Sequence, residues 1–244
     1  MITDRPSQRG GAHDRRMSAA PEIGRLPLVS AEAQALSRAL VTISDPNGAQ
    51  AEAIRALRTH LMAQHINEGC RAIAVCAASP GVGCTFLAAN MAVALSQIGL
   101  NTLLVDANLR RPGIDKIIPP AQPVVGLRQF LSSADPNVGD HLQIDVLPTL
   151  SVMYAGGVAT NAQDLLAGDR FKMLMDFCRR DFDVTIVDTP AANTCSDARR
   201  ISTVVGHAVI VARLNSTLVH DVKTLAGQLE ADRARVVGSI LNEY

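Results

Sequence analysis

Ala78-Ser79-Pro80-Gly81-Val82-Gly83-Cys84-Thr85 is the stretch that decides how this chain is read. It follows the apolar run Ala72 to Ala77 and leads into the apolar stretch Phe86 to Ile98, giving the order strand, glycine turn, helix that a phosphate-cradling loop requires. Glycines let successive backbone N–H groups turn toward an anion, and a helix starting at Thr85 adds its positive dipole end. In such loops a lysine at the position of Cys84 reaches the β- and γ-phosphates, whereas a thiol offers one weak donor and no charge. The lysines of the chain are Lys116, Lys172 and Lys223, all outside the loop, and Ser79 stands where some loops carry a second lysine. Alone, Gly81-Val82-Gly83 reads equally well as a tight turn with no ligand.

Composition narrows the setting. With 244 residues, 48% of them hydrophobic, the chain has material for one sizeable core, and 3% aromatic content makes that core aliphatic. A formal net charge of zero gives no bulk attraction to nucleic acid or to an anionic membrane. Cys70, Cys76, Cys84, Cys178 and Cys195 contain no CxxC pair, and their odd number suits a reducing compartment, so a cytoplasmic protein is expected. The six histidines form no metal or triad pattern. No run approaches a membrane span, and the N-terminus lacks the apolar centre of a secretion signal.

Along the chain, residues 1–46 read as a flexible tail with a short helix from Ser30 to Ile43, closed by the turn Asp45-Pro46-Asn47-Gly48. Residues 47–244 read as the folded domain. A helix is expected from Gln50 to His65, with Ile54, Leu57 and Leu61 on one stripe and Glu52, Arg55 and Arg58 opposite. Strands are expected at 72–77, 102–105, 144–147, 184–187, 208–211 and 236–241. Between them lie helical patterns, one ending at Gly99 and the last presenting Val219, Val222, Ala226 and Leu229. Short, non-alternating apolar runs separated by helices predict an α/β fold: a doubly wound, mainly parallel sheet covered on both faces.

Two strands end alike. Leu103-Leu104-Val105-Asp106 runs into Ala107-Asn108-Leu109-Arg110-Arg111-Pro112, and Val184-Thr185-Ile186-Val187-Asp188 into Thr189-Pro190. Ligands of open parallel sheets lie beyond the carboxyl ends of the strands, so Asp106 and Asp188 are candidates to hold Mg²⁺ with the Thr85 hydroxyl. Each acid alone also reads as the cap of a turn; the pair together with the loop favours a P-loop NTPase-like nucleotide fold.

These segments carry a resemblance. Glu52-x-x-Arg55-x-x-Arg58, Ser79 to Gly83, Asp106 to Pro112 and Asp188-Thr189-Pro190 occur in the order and spacing of the bacterial tyrosine kinase family of capsular and exopolysaccharide synthesis. Ser196-Asp197-Ala198 and Gly238-Ser239-Ile240-Leu241-Asn242 extend the likeness over about residues 50 to 244. Partition and division-site ATPases share the loop and the acids but not the Glu-Arg-Arg helix. The resemblance implies ATP or ADP with Mg²⁺, bound through Pro80, Gly81, Val82, Gly83, Cys84 and Thr85, with Asn242 near the base. It implies catalytic roles for Asp106, Asn108, Arg110 and Asp188, and a homo-oligomeric ring contact through Glu52, Arg55 and Arg58. It also implies a membrane-spanning polysaccharide co-polymerase, or chain-length regulator, that recruits the protein to the inner membrane face.

Three departures modify that expectation. Cys84 replaces the phosphate lysine. Asn108 replaces the second aspartate of the family's Asp-x-Asp-x-Arg turn, and an amide cannot take a proton. The tail ends Asn242-Glu243-Tyr244, with Tyr154 the other tyrosine, so a tyrosine cluster is missing. The expectation is a catalytically impaired kinase acting as scaffold or nucleotide-sensing regulator. Against it stands a working tyrosine kinase or ATPase whose missing cation comes from Arg110, Arg111 or a partner. A third reading, a thiol sensor, rests on the placement of Cys84 at a helix N-terminus, where a thiolate is favoured.

Overall fold

Seven strands form one sheet in the computed structural model, which describes residues 38–121, 123–134 and 137–243. They are β1 Ala72–Cys76, β2 Thr102–Asp106, β3 Gln143–Leu147, β4 Leu150–Met153, β5 Val184–Asp188, β6 His207–Arg213 and β7 Arg235–Asn242. Their order is β3-β4-β2-β5-β1-β6-β7, parallel throughout except for β3, which runs antiparallel to β4.

Burial explains why the central strands lack an alternating pattern. Every residue of β1, β2, β4 and β5 is buried, because helices cover both faces. Ile73, Val75, Leu104 and Ile186 point to one layer, built from α1 Val41–Ser44, α2 Ala49–Gln64, α3 Cys84–Ser96 and α4 Ile114–Ile117. Their sequence neighbours Ala72, Ala74, Leu103 and Val187 point to the other, built from α5 Leu127–Ser132, α6 Ala162–Ala167, α7 Asp169–Asp181, α8 Asp197–Val205 and α9 Val219–Ala231. The doubly wound α/β expectation is met.

Helix α3 ties this core to the glycine loop. From Leu87 to Ser96 it is buried all round, which its nearly unbroken Ala, Leu, Val and Met composition permits. Its one fully buried amide, Asn90, fastens the chain N-terminal to the domain: Oδ1 accepts from Val41 N at 2.9 Å, and Nδ2 donates to the Ala39 and Phe86 carbonyls at 2.8 and 2.9 Å. Leu40 and Val41 are buried in the same layer, so packed structure extends upstream of residue 47. The rest of the helix expected from Ser30, with Leu36, lies outside the described residues.

Two local expectations are corrected. Strand β4 follows β3 after Pro148-Thr149, and Thr149 takes a positive φ of 59°, so two short strands stand where the apolar pattern suggested one. Val219, placed on the buried stripe of α9, is 70% exposed, while Leu225 and Leu229 make the contact.

Candidate nucleotide site

At the carboxyl end of β1 the chain turns through Gly81 and Gly83, whose φ values of +77° and +99° only glycine adopts without strain, and enters α3 at Cys84, one residue earlier than expected. A cavity of about 560 Å³ opens above this turn. The loop Ser79 to Phe86 forms its floor, Asn108, Arg110 and Arg111 one wall, and Thr189 to Ala191 with Thr194 the other. The loop is clamped from behind β5: Ala192 N and Asn193 N donate to the Ala77 and Ala78 carbonyls at 2.9 Å, and Asn193 Nδ2 reaches Ser79 Oγ at 3.2 Å.

Asp106 and Asp188 sit side by side, paired in register on β2 and β5, and both are fully buried. Their surroundings differ. Asp106 Oδ1 accepts from Asn108 N, and Oδ2 from Gly113 N and Ile114 N, at 3.0–3.1 Å, so this acid closes the turn after β2. Burial raises its carboxyl to about 6 against the pull of those three N–H groups. Asp188 Oδ2 accepts from Thr85 Oγ1 at 2.6 Å, while its Oδ1 is buried without a partner. Burial first, and the neighbouring Asp106 charge second, push Asp188 far above the carboxylate range.

A buried carboxyl oxygen short of hydrogen-bond donors, beside a threonine hydroxyl at the foot of a glycine loop, is one that a divalent cation would satisfy. The residues therefore fit Mg²⁺ held through Thr85 and Asp188, with Asp106 more fully occupied by backbone. Among the described residues no cluster of three or more His, Cys, Asp or Glu suited to hold a metal without such help occurs.

The remaining candidates are placed as follows. Asn108 Oδ1 accepts from Arg111 N at 3.1 Å, capping the turn. Arg110 forks onto Asp197, Nε to Oδ2 at 2.7 Å and Nη2 to Oδ1 at 3.2 Å, and Asp197 is 1% exposed. Burial, then the Asp188 charge, raise the Cys84 thiol well above its ordinary value, opposing the thiolate that a sensor requires. Asn242 Nδ2 donates to Val82 O at 2.9 Å and lies close to where a Cβ on Gly83 would stand, so it braces the loop. Glu52 and Arg55 pair with each other at 2.7 Å on the exposed face of α2, but Arg58 turns inward and donates to Ala94 O at 3.0 Å, capping α3.

Sequence reasoning met Asp197 only inside the likeness of Ser196-Asp197-Ala198 and gave it no site role, and it missed Asn193 and Arg213. Arg213 Nη1 approaches Gly81 O at 3.4 Å, from the end of β6. Asn193 lies in the stretch that follows Asp188-Thr189-Pro190, where adjacency to a strand end was its one signal.

No family model matches the chain. The tyrosine-protein kinase etk of Escherichia coli is 29% identical over 202 residues, which is 83% of this chain and 28% of that protein. Its solved kinase domain superposes with a TM-score of 0.78 at 28% identity, over 83% of this chain and 79% of that one. The chain is a relative of the bacterial tyrosine kinases. The tyrosine-protein kinase wzc of Salmonella typhimurium is 27% identical, again over 83% of this chain and 28% of its own length, so the chain spans little more than a quarter of these larger tyrosine kinases. The chimerical protein CapA2B2 superposes with a TM-score of 0.77 at 27% identity, over 85% of this chain and 91% of that one. MinD of Pyrococcus horikoshii, solved with Mg-ADP, superposes at 0.60 with 18% identity and shares the fold.

Proposed function

We propose that this tyrosine kinase relative binds a magnesium-nucleotide in the cavity above Gly81 and Gly83 but transfers phosphate poorly, and that it serves capsule or exopolysaccharide synthesis and export as a scaffold or nucleotide-dependent regulator. The observation that carries the reading is the pairing of Cys84, an uncharged side chain type, at the lysine position with an Arg110 already bonded to Asp197. Bound Mg²⁺ supplies charge neutralisation between phosphate oxygens. Thr85 and Asp188 orient that ion, the loop N–H groups hold the phosphate chain, and the clamp from Ala192 and Asn193 keeps the loop shape fixed. What the pocket lacks is a mobile cation to follow charge onto the leaving oxygen, so transfer suffers more than binding.

Substrate tyrosines point the same way. Tyr154 is 2% exposed and donates to Ile118 O at 3.0 Å, out of reach of any phosphoryl group, which leaves Tyr244, outside the described residues, as acceptor. Among the described residues no helix is long and apolar enough to cross a membrane. A cytoplasmic location at the inner membrane face, through a membrane-spanning chain-length regulator, and a ring of copies joined partly through Glu52 and Arg55, complete the proposal.

A second reading, an active kinase or ATPase, is favoured by Arg111, which lines the cavity wall. Incubating the purified full chain with magnesium and ATP separates the two. The proposal expects bound nucleotide without phosphotyrosine. Phosphotyrosine at Tyr244 that vanishes in Asp188→Asn would establish the second reading.

A further inference from the structure

We infer that the pocket reads two phosphates and is nearly blind to a third, so that nucleoside diphosphate and triphosphate occupy it with similar affinity. The inference rests on the nucleotide reading above and deepens it by naming the ligand the site discriminates least. Backbone N–H groups of a glycine loop encircle the phosphate lying over the helix N-terminus, and that cradle is intact here. Contact with a terminal phosphate in such folds comes instead from side-chain cations and the metal.

Each side-chain source of cationic contact is reduced in this chain. Ser79 to Thr85 carries no charged side chain. Arg110 lines the cavity wall but commits Nε and Nη2 to Asp197, and the near-complete burial of Asp197 makes that partner hard to leave. Arg213 turns to the Gly81 carbonyl and does not line the cavity. Arg111 is exposed, where water and salt screen its charge. Behind Thr85 lie the buried acids Asp106 and Asp188, neither of which offers a phosphate a hydrogen-bonding cation, so an added phosphate gains little attraction from the loop. A chain of this kind responds to total nucleotide, not to the ratio of triphosphate to diphosphate.

The test is a calorimetric titration with ADP and with the β,γ-imido analogue of ATP, both with magnesium, on the wild-type full chain and on Cys84→Lys and Cys84→Ser. Dissociation constants for the two ligands within about threefold of each other are expected for wild type and Cys84→Ser. Cys84→Lys should tighten the triphosphate analogue selectively, by about tenfold or more, the scale of one charged hydrogen bond. A wild-type preference for the triphosphate analogue of about tenfold or more overturns the inference while leaving nucleotide binding in place. Absence of binding by either ligand overturns the nucleotide reading and this inference with it. If Cys84→Lys fails to fold, the wild-type ratio decides alone.

Discussion

Replacing Asp197 by Asn should destabilise the protein and at the same time strengthen its hold on nucleotide. Asp197 opens α8 and accepts two N–H groups of Arg110, at 2.7 and 3.2 Å, from a nearly sealed position. An asparagine of the same shape keeps one acceptor, presents an NH₂ to the other N–H, and removes the charge. A hydrogen bond to a charged group contributes about 1.5–3 kcal/mol, and an acid in the first turn of a helix adds about 0.3–1 kcal/mol. The Arg110 side chain is 38% exposed, so solvent screening places the loss toward the lower end, about 2 kcal/mol. For a chain of this size that is about 4–8 °C in Tm, read by thermal or urea unfolding without ligand. Arg110 already stands in the cavity wall, and without the Asp197 charge its guanidinium can turn to the phosphates, so the dissociation constant for magnesium-ATP should fall several-fold. Opposite signs in the two assays are the diagnostic. Loss of stability with unchanged or weaker nucleotide binding would refute the argument that Asp197 holds Arg110 away from the phosphates.

Three further outcomes follow from the packing and the charges. Asn90→Ala removes three hydrogen bonds, one buried and two part-buried, and takes from Val41 N its Oδ1 acceptor; it should cost about 3 kcal/mol in urea unfolding and speed amide exchange at residues 39–42. Asp106 binds its proton more tightly in the folded state, about 6, than in the unfolded chain, so its contribution to stability falls as pH rises from about 4 to 6 and is level above that. The difference in unfolding free energy between wild type and Asp106→Asn should trace that slope, and a flat difference would contradict the buried-carboxyl geometry. Cys84, raised by burial and by Asp188, should react with iodoacetamide at pH 8 more slowly than a free cysteine by about tenfold or more; faster reaction would revive the thiol sensor.

Much of this architecture was legible because its strands are buried on both faces. Runs such as Leu103-Leu104-Val105 and Val184-Thr185-Ile186-Val187 have no solvent side, and the helices between them show their periods plainly. The glycine loop was legible too, since positive φ at Gly81 and Gly83 leaves a mark in the sequence. What escaped depended on side chains choosing partners across the fold. Whether Arg110 faces a phosphate or Asp197, 87 residues away, is settled by where the fold brings the turn after β2 against the start of α8, not by local pattern. The family likeness put Asn242 near the base, and its bond to Val82 O shows only once β7 is laid beside the loop. Arg58 looked like a solvated charge because helical spacing reveals which face a residue occupies, not that its long stem reaches back to the Ala94 carbonyl.

Steady-state phosphate release under saturating magnesium-ATP, compared between wild type and Cys84→Lys, addresses the mechanism at its root. Wild type that holds nucleotide yet releases no phosphate above the metal-free control, with release appearing once lysine stands at position 84, is the predicted result. Sustained release by wild type, abolished by Asp188→Asn and not increased by the lysine, would contradict the claim that the cradle survives without the cation needed for transfer.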